Sequence, residues 1–234
     1  MWSISRPRQT RSPPPCWHRS ADIVNYFITG TDTDVGKTYV TRLLLESLKR
    51  EGRIAAGYKP FCCGSRQDTI ELLEASSSQL GLTLDEINPQ WFKAPASPFA
   101  AGLLENRPTD LDAAVAGFAQ LQARCENILV EGAGGWEVPL TADATIADLA
   151  QKLALPVIVV VNNKLGALNH TLLTVRAIAA RGLRCAGIIL NQVADERDPA
   201  SISHRHILEL HAPDVPVLAE IMHGETHLVW PPEL

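Results

Sequence analysis

The chain has 234 residues, of which 46% are apolar, and a formal net charge of −5, which allows a sizeable core in one large or two small domains and gives nucleic acid or an anionic membrane no electrostatic reason to bind. The longest apolar run, Leu155 to Val161, is far too short to span a bilayer and reads as a buried parallel strand. Five cysteines, without paired C-x-x-C spacing, read as thiols of a reducing, cytoplasmic setting rather than a disulfide framework.

The first twenty residues carry Arg6, Arg8, Arg11 and Arg19, consecutive prolines at Pro13 to Pro15, and no acid. There is no apolar h-region, so a secretory signal is excluded. The prolines oppose the amphipathic helix of a transit peptide. Residues 1–23 therefore read as a disordered extension or an over-early start, and residues 24–234 as a single domain.

Val24 to Thr29 is rich in β-formers and predicts a strand. It runs into T-G-T-D-T-D-V-G-K-T-Y-V-T, residues 29–41. Gly36-Lys37-Thr38 is the end of a phosphate-binding loop. Backbone N–H groups there wrap a phosphate, Lys37 reaches its outer oxygens and the Thr38 hydroxyl takes Mg²⁺. The general spacing puts the first glycine at position 31, which is Thr31; the glycine is Gly30. Context restores the reading: Val40, Leu43, Leu44 and Leu48 form a helical stripe, so a helix N-terminus follows the loop and points its free N–H groups at an anion.

Further along, strands are predicted at Ile54 to Pro60, Ile128 to Glu131, Val157 to Val161, Cys185 to Asn191 and Val215 to Ile221. Helices are predicted at Asp68 to Leu80, Leu111 to Arg124, Ile146 to Leu153, Leu168 to Arg181 and Ile202 to His211. The last of these presents His204, His206 and His211 as a solvated face, with no zinc site implied. Residues 81–110, with four prolines, read as an irregular surface excursion near the site. The alternation predicts an α/β fold with right-handed βαβ units and a mostly parallel sheet flanked by helices on both faces, of P-loop NTPase type.

Ligands of open parallel sheets sit at the carboxyl ends of strands. That rule nominates Lys59, Glu131, Asn162 to Lys164, and Asn191. From spacing alone Lys59 and Glu131 are equally well read as solvated strand-end charges. Asp68 opens a predicted helix and is equally a cap.

Six segments, G-T-D-T-D-V-G-K-T (30–38), G-Y-K-P (57–60), N-P-Q-W-F-K-A-P-A-S-P (88–98), V-E-G-A-G-G-W (130–136), K-L-G-A-L-N-H (164–170) and the strand end at Asn191, occur in this order. Together they make the chain resemble the dethiobiotin synthetases, ATP-dependent ring-closing ligases. The resemblance covers residues 26 to about 221. It implies that 7,8-diaminopelargonate (7,8-diaminononanoate) takes up CO₂ (from bicarbonate) as a carbamate, that ATP with Mg²⁺ phosphorylates the carbamate, and that the second amine closes a cyclic urea. Carbamate and phosphates crowd negative charge, so such a site needs cations.

On this resemblance, ATP is held by Asp34, Val35, Gly36, Lys37, Thr38, Tyr39, Glu131, Gly132, Ala133, Gly134 and Asn191. Lys37 and Lys59 are the catalytic lysines. Mg²⁺ is held by Thr38, Asp68 and Glu131. The substrate touches Thr33, Lys59 and Cys63, and its distant carboxylate is held by Gly166, Ala167, Leu168 and Asn169 of a neighbouring subunit, which implies a homodimer. Trp136 is a lid or part of the core.

Three departures stand out. Cys63 occupies a position where the family usually has a hydroxyl, and a thiol donates hydrogen bonds weakly. The segment from Gly64 to Asp68 is short, which loosens the Asp68 assignment. The usual G-E-I-P near the end, which helps hold the base, reads Ala219-Glu220-Ile221-Met222. Three rivals follow: a related P-loop amidase, a dimeric nucleotide-switch ATPase, or a catalytically degenerate nucleotide binder. The amidases usually carry an ammonia-generating domain, for which no extra segment fits. The switch ATPases carry a second lysine early in the loop, and Thr31 to Asp34 has none.

Overall fold

Strands covered on both faces need near-continuous apolar sequence. The runs in β1 (Asn25–Gly30), β5 (Asn127–Gly135), β6 (Val157–Asn162) and β7 (Cys185–Asn191) supply it. A computed structural model describes residues 23–234; the arginine- and proline-rich segment at 1–22 lies outside the described residues. With β2 (Ala55–Tyr58) and β8 (Val217–Ile221), these strands form one parallel sheet in the order β2-β5-β1-β6-β7-β8.

The helices divide between the two faces. On one face α1 (Lys37–Arg50) and α2 (Gln67–Ala75) bring Leu43, Leu44, Leu48 and Leu72 against Ile28, Leu129 and Ile158. On the other, α5 (Leu111–Gln122), α6 (Ile146–Leu153), α7 (Ala167–Ala180) and α8 (His204–His211) cover Phe27, Val130, Val159 and Ile188. Trp136 is core on this second face, edge-on to Phe27, rather than a lid. No helix among the described residues is long and apolar enough to cross a membrane.

Boundaries differ from the sequence reading in three informative places. The strand predicted from Ile54 to Pro60 is β2 alone, ending at Tyr58, and an unpredicted strand β3 (Phe61–Cys63) follows; Pro60 between them offers no N–H to a ladder. β3 pairs in parallel with β4 (Gln90–Phe92), so residues 81–110 are not merely irregular: they carry α3 (Leu84–Ile87), β4 and α4 (Pro98–Leu104). The helix predicted from Asp68 to Leu80 breaks at Ser76. Here β2 is an edge strand, and its amides at Gly57 and Ala55 donate to the hydroxyls of Ser76 and Ser77, both at 3.0 Å. The serines leave the helix to complete the sheet edge.

The histidine face is also corrected. His206 and His211 are exposed, whereas His204 is buried with its Nδ1 2.7 Å from Asn163 Oδ1.

The serine edge gives a stability expectation. Ser76→Ala leaves a buried amide without its acceptor, so unfolding in urea should show a loss of about 1–3 kcal/mol, with nucleotide binding unchanged.

Candidate active site

The site grows from the end of β1, between its neighbours β5 and β6. There the loop 30–36 turns into α1. A side chain at Gly30 would place its Cβ 2.8 Å from Asp32 O and 2.9 Å from Lys37 Nζ, so the displaced glycine is still required. Asp34 and Gly36 take φ of 56° and 85°, and a Cβ at Gly36 would lie 2.2 Å from Asn191 Nδ2. That amide donates to Val35 O at 2.9 Å. Asn191, at the end of β7, thus holds the loop in shape from below.

Lys37 opens α1 and is 7% exposed. Its ammonium curls back to donate to Asp32 O at 2.9 Å. Burial pushes its pKa down to about 8, against the opposing pull of Glu131. Next to it, Thr38 Oγ1 donates to Glu131 Oε1 at 2.8 Å. Register explains the meeting: Ile28 of β1 stands beside Glu131 of β5. Tyr39, one residue further, directs its hydroxyl to the Glu225 carbonyl.

Lys59 lies just beyond β2, 5% exposed, and donates to Glu131 Oε1 at 2.6 Å and to Asp68 Oδ2 at 2.5 Å. Burial opposes its charge, but Glu131 and Asp68 together outweigh burial and hold the ammonium protonated above the ordinary lysine range. Glu131 is fully buried, and its Oε2 has no hydrogen-bond partner. Thr38, Glu131 and Asp68 thus gather a hydroxyl and two carboxylates, one with a free buried oxygen. That donor set fits a hard divalent cation.

Two adjoining clefts share Thr33, Asp34, Lys59, Asp68 and Gly134. One, of about 300 Å³, is also lined by Gly36, Lys37, Thr38, Tyr39, Glu71 and Glu131. The other, of about 490 Å³, is lined by apolar and small groups that include Phe61, Cys63, Pro95, Ala96, Ala133 and Val138. Gly134 adopts φ 68° on their common wall. Gly132 packs under them against Phe27 and Ile146. Burial raises the Cys63 thiol to about 11, so it meets the cleft as a neutral, weakly polar group.

The structure therefore brings together most residues singled out in the sequence: the 33–39 loop, Lys59, Cys63, Asp68, Glu131 to Gly134, and Asn191 beneath the loop. It does not bring Gly166, Ala167, Leu168 and Asn169 to either cleft. They form the start of α7, at the carboxyl end of β6, where Gly166 takes φ 89° and Asn169 is exposed. Phe61 and Val138 were not recognisable as site residues from the sequence. Glu71 is a further residue the sequence reading does not single out: it is half-buried and lines the phosphate-side cleft, and its place three residues after Asp68 is the signal that could have found it.

A family model described as an AAA domain matches residues 24–226. The ATP-dependent dethiobiotin synthetase BioD of Akkermansia muciniphila is 45% identical over 87% of this chain and 94% of its own. That of Aromatoleum aromaticum is 41% identical over 85% of this chain and 90% of its own, and that of Bacillus subtilis 38% over 79% and 81%. The chain belongs to the dethiobiotin synthetase family. Solved structures with the same fold include the septum site-determining protein MinD of Pyrococcus horikoshii, with a TM-score of 0.50 and 16% identity over 85% of this chain and 82% of that one. A ParA family ATPase of Chlorobium tepidum gives 0.50 and 11% over 85% and 83%. At such identities these two show the fold alone.

The buried Lys37 sets a pH dependence for nucleotide binding. Without nucleotide it loses its proton above about pH 8, while a bound phosphate favours the charged form. Nucleotide affinity should be flat below that value and fall by up to about tenfold per pH unit above it, with proton uptake on binding. Titration calorimetry in buffers of different ionisation enthalpy measures both. The same shift acts oppositely on the nucleotide-free fold. Its depressed lysine pKa costs stability while the unfolded chain's lysine and the folded one are both charged, and that cost fades as pH rises from about 8 toward 10.5.

Proposed function

We propose that the chain is an ATP-dependent dethiobiotin synthase of biotin synthesis, a cyclo-ligase that converts 7,8-diaminopelargonate, CO₂ and ATP into dethiobiotin, ADP and phosphate. The observation that carries this reading is Lys59 on the wall shared by a phosphate-side cleft and a larger, more apolar one. A reaction that moves a phosphoryl group onto a carbamate needs a cation at that boundary, reaching both reactants.

The chemistry follows from the placement. One amine of the substrate attacks CO₂, and the carbamate oxygens settle against Lys59 and Lys37. The γ-phosphoryl group passes to a carbamate oxygen and ADP leaves. The second amine attacks the carbamoyl carbon of the mixed anhydride, the carbon–oxygen bond to phosphate breaks, and the ring closes as phosphate departs. Loop amides from Asp34 to Thr38 hold the phosphates. Thr33, Cys63 and the backbone of Gly132, Ala133 and Gly134 shape the substrate side. Asn191 and Tyr39 stand on the base side.

Thr38, Glu131 and Asp68 would hold Mg²⁺, which supplies charge neutralisation between the phosphates. The Lys59 ammonium pairs with the same two carboxylates in this structure, so it stands beside the residues that would hold the cation.

Homodimerisation accounts for the carboxylate end. The turn at Gly166, Ala167, Leu168 and Asn169 opens a 14-residue helix without a side-chain cap, with Ala167 N–H donating to Lys164 O at 3.0 Å, away from this chain's own clefts and beside exposed Leu165. A second subunit would bring that turn to the far end of the substrate. The setting is cytoplasmic, where the substrates and reduced thiols belong.

The test is phosphate release with ATP and Mg²⁺, with and without the diamine and bicarbonate. Release that requires both, with dethiobiotin formed in step, is expected; diamine-independent hydrolysis would support a nucleotide switch, and no turnover a degenerate binder. Lys59→Ala should lower kcat by about 100- to 1000-fold, with nucleotide Kd little changed. Near-wild-type turnover in that variant would remove Lys59 from the mechanism. Asn169→Ala should raise the KM for the diamine about tenfold and leave nucleotide affinity alone; an unaltered diamine KM would take the α7 turn out of the site.

A further inference from the structure

Lys59 serves two clefts only if its backbone is fixed, because a lysine side chain alone is a flexible tether. The sheet does not fix it. β2 ends at Tyr58, and Pro60 follows. Two contacts outside the sheet do so instead: Lys59 N donates to Ile87 O at 2.9 Å, and Lys59 O accepts from Asn88 Nδ2 at 2.8 Å.

Asn88 is 1% exposed. Its Oδ1 accepts from Arg66 Nε at 3.1 Å, and its main-chain oxygen accepts from Arg66 Nη2 at 2.9 Å. Arg66 immediately precedes α2, whose second residue is Asp68, the other partner of the Lys59 ammonium. One arginine–asparagine pair thus closes the loop 59–68 at both ends. It holds the lysine's carbonyl and the start of the helix that carries its carboxylate. Arg66 is held in turn by Asp85 Oδ1 at 2.8 Å and by the Trp91 ring 5.3 Å below its guanidinium. Trp91 Nε1 donates to Gly64 O, inside the same loop, at 2.8 Å.

We propose that Arg66 and Asn88 are positioning residues for the phosphoryl-transfer step, acting through the placement of Lys59 and Asp68. Arg66 lines neither reaction cleft; it opens on a separate surface cavity of about 420 Å³ with Asp85, Pro89, Trp91 and Arg107. Its effect on turnover is therefore indirect. The inference rests on the reading of Lys59 as the cation of the reaction.

The experiment is steady-state kinetics of Arg66→Ala, Arg66→Lys and Asn88→Asp with the full chain, each checked for cooperative thermal unfolding. Arg66→Ala should lose about 10- to 100-fold in kcat with the KM for ATP within about threefold of the wild type. Arg66→Lys keeps the charge beside Asp85 but not the fork on Asn88, so it should recover little of the loss. Asn88→Asp keeps an acceptor for Arg66 and removes the donor to Lys59, and should lose as much. Methylguanidinium, admitted through the surface cavity, should restore part of the Arg66→Ala activity and none of that lost in Lys59→Ala. A kcat within about threefold of the wild type in a folded Arg66→Ala, or full recovery by Arg66→Lys, overturns the proposal. If Lys59→Ala itself turns over normally, the reading of Lys59 fails; if it is inactive while Arg66→Ala is normal, only the clamp fails.

Discussion

The fully buried Glu131 carboxylate, shared by the Lys59 ammonium and the Thr38 hydroxyl, is the constraint around which the rest is arranged. A charge in that position is costly unless paired, and a buried ion pair is at best a weak stabiliser compared with apolar groups of the same volume. Glu131 ends the apolar run Ile128 to Val130, where a further apolar residue would pack without penalty. Lys59 and Thr38 offset part of that cost at Oε1, and the unpartnered Oε2 leaves a place that a ligand of positive charge would fill. The two lysines and two carboxylates of the cluster balance one another. Phosphates and a carbamate would tip that balance strongly negative, and the donor set around Glu131 fits the divalent cation that restores it.

The same crowding dictates the glycines. Backbone must approach Lys37 at Gly30, and the Asn191 amide at Gly36, more closely than a Cβ permits, and at Gly36 the left-handed φ adds a second reason. Hence the loop remained legible although its first glycine is one residue from the general spacing: the neighbouring strand and helical stripe, not the glycine count, specify it. The central strands were legible for a related reason. Cys185–Asn191 and the helix Ile146–Leu153 match their predicted bounds, because burial on both faces leaves a continuous apolar run in the strand and burial on one face a periodic stripe in the helix.

What the sequence did not disclose depends on contacts far apart in the chain. The Ser76 and Ser77 hydroxyls continue a helical-looking segment until the edge of β2 claims them. His204 sits among charged residues on α8, yet Asn163, 41 residues earlier, accepts it into the interior. Arg66 and Asn88 are 22 residues apart; Asn88 opens one of the segments that carry the resemblance, but nothing in the sequence pairs it with Arg66. Motif residues were visible because one loop or strand end carries each group. The residues that orient them were not, because their partners are set only by the folded excursion.

That excursion also separates what the fold does from what this protein does. The phosphate-side cleft comes from the ends of β1 and β5 and the start of α1, elements that any P-loop sheet of this order possesses. The likeness of the chain to MinD and ParA is one of fold, over 85% of its length. The second cleft is different: Phe61, Cys63, Pro95, Ala96 and Pro98 come from β3 and the segment after β4, a small parallel sheet outside the main one. It stands where Lys59 leaves β2, so the excursion that would make room for a second substrate also carries the lysine to the boundary. Asn88 and Arg66 lie where that excursion meets the main sheet. Substrate selection and the placement of the shared cation are consequently one structural problem, and a change in the excursion that widened the apolar cleft would also move Lys59.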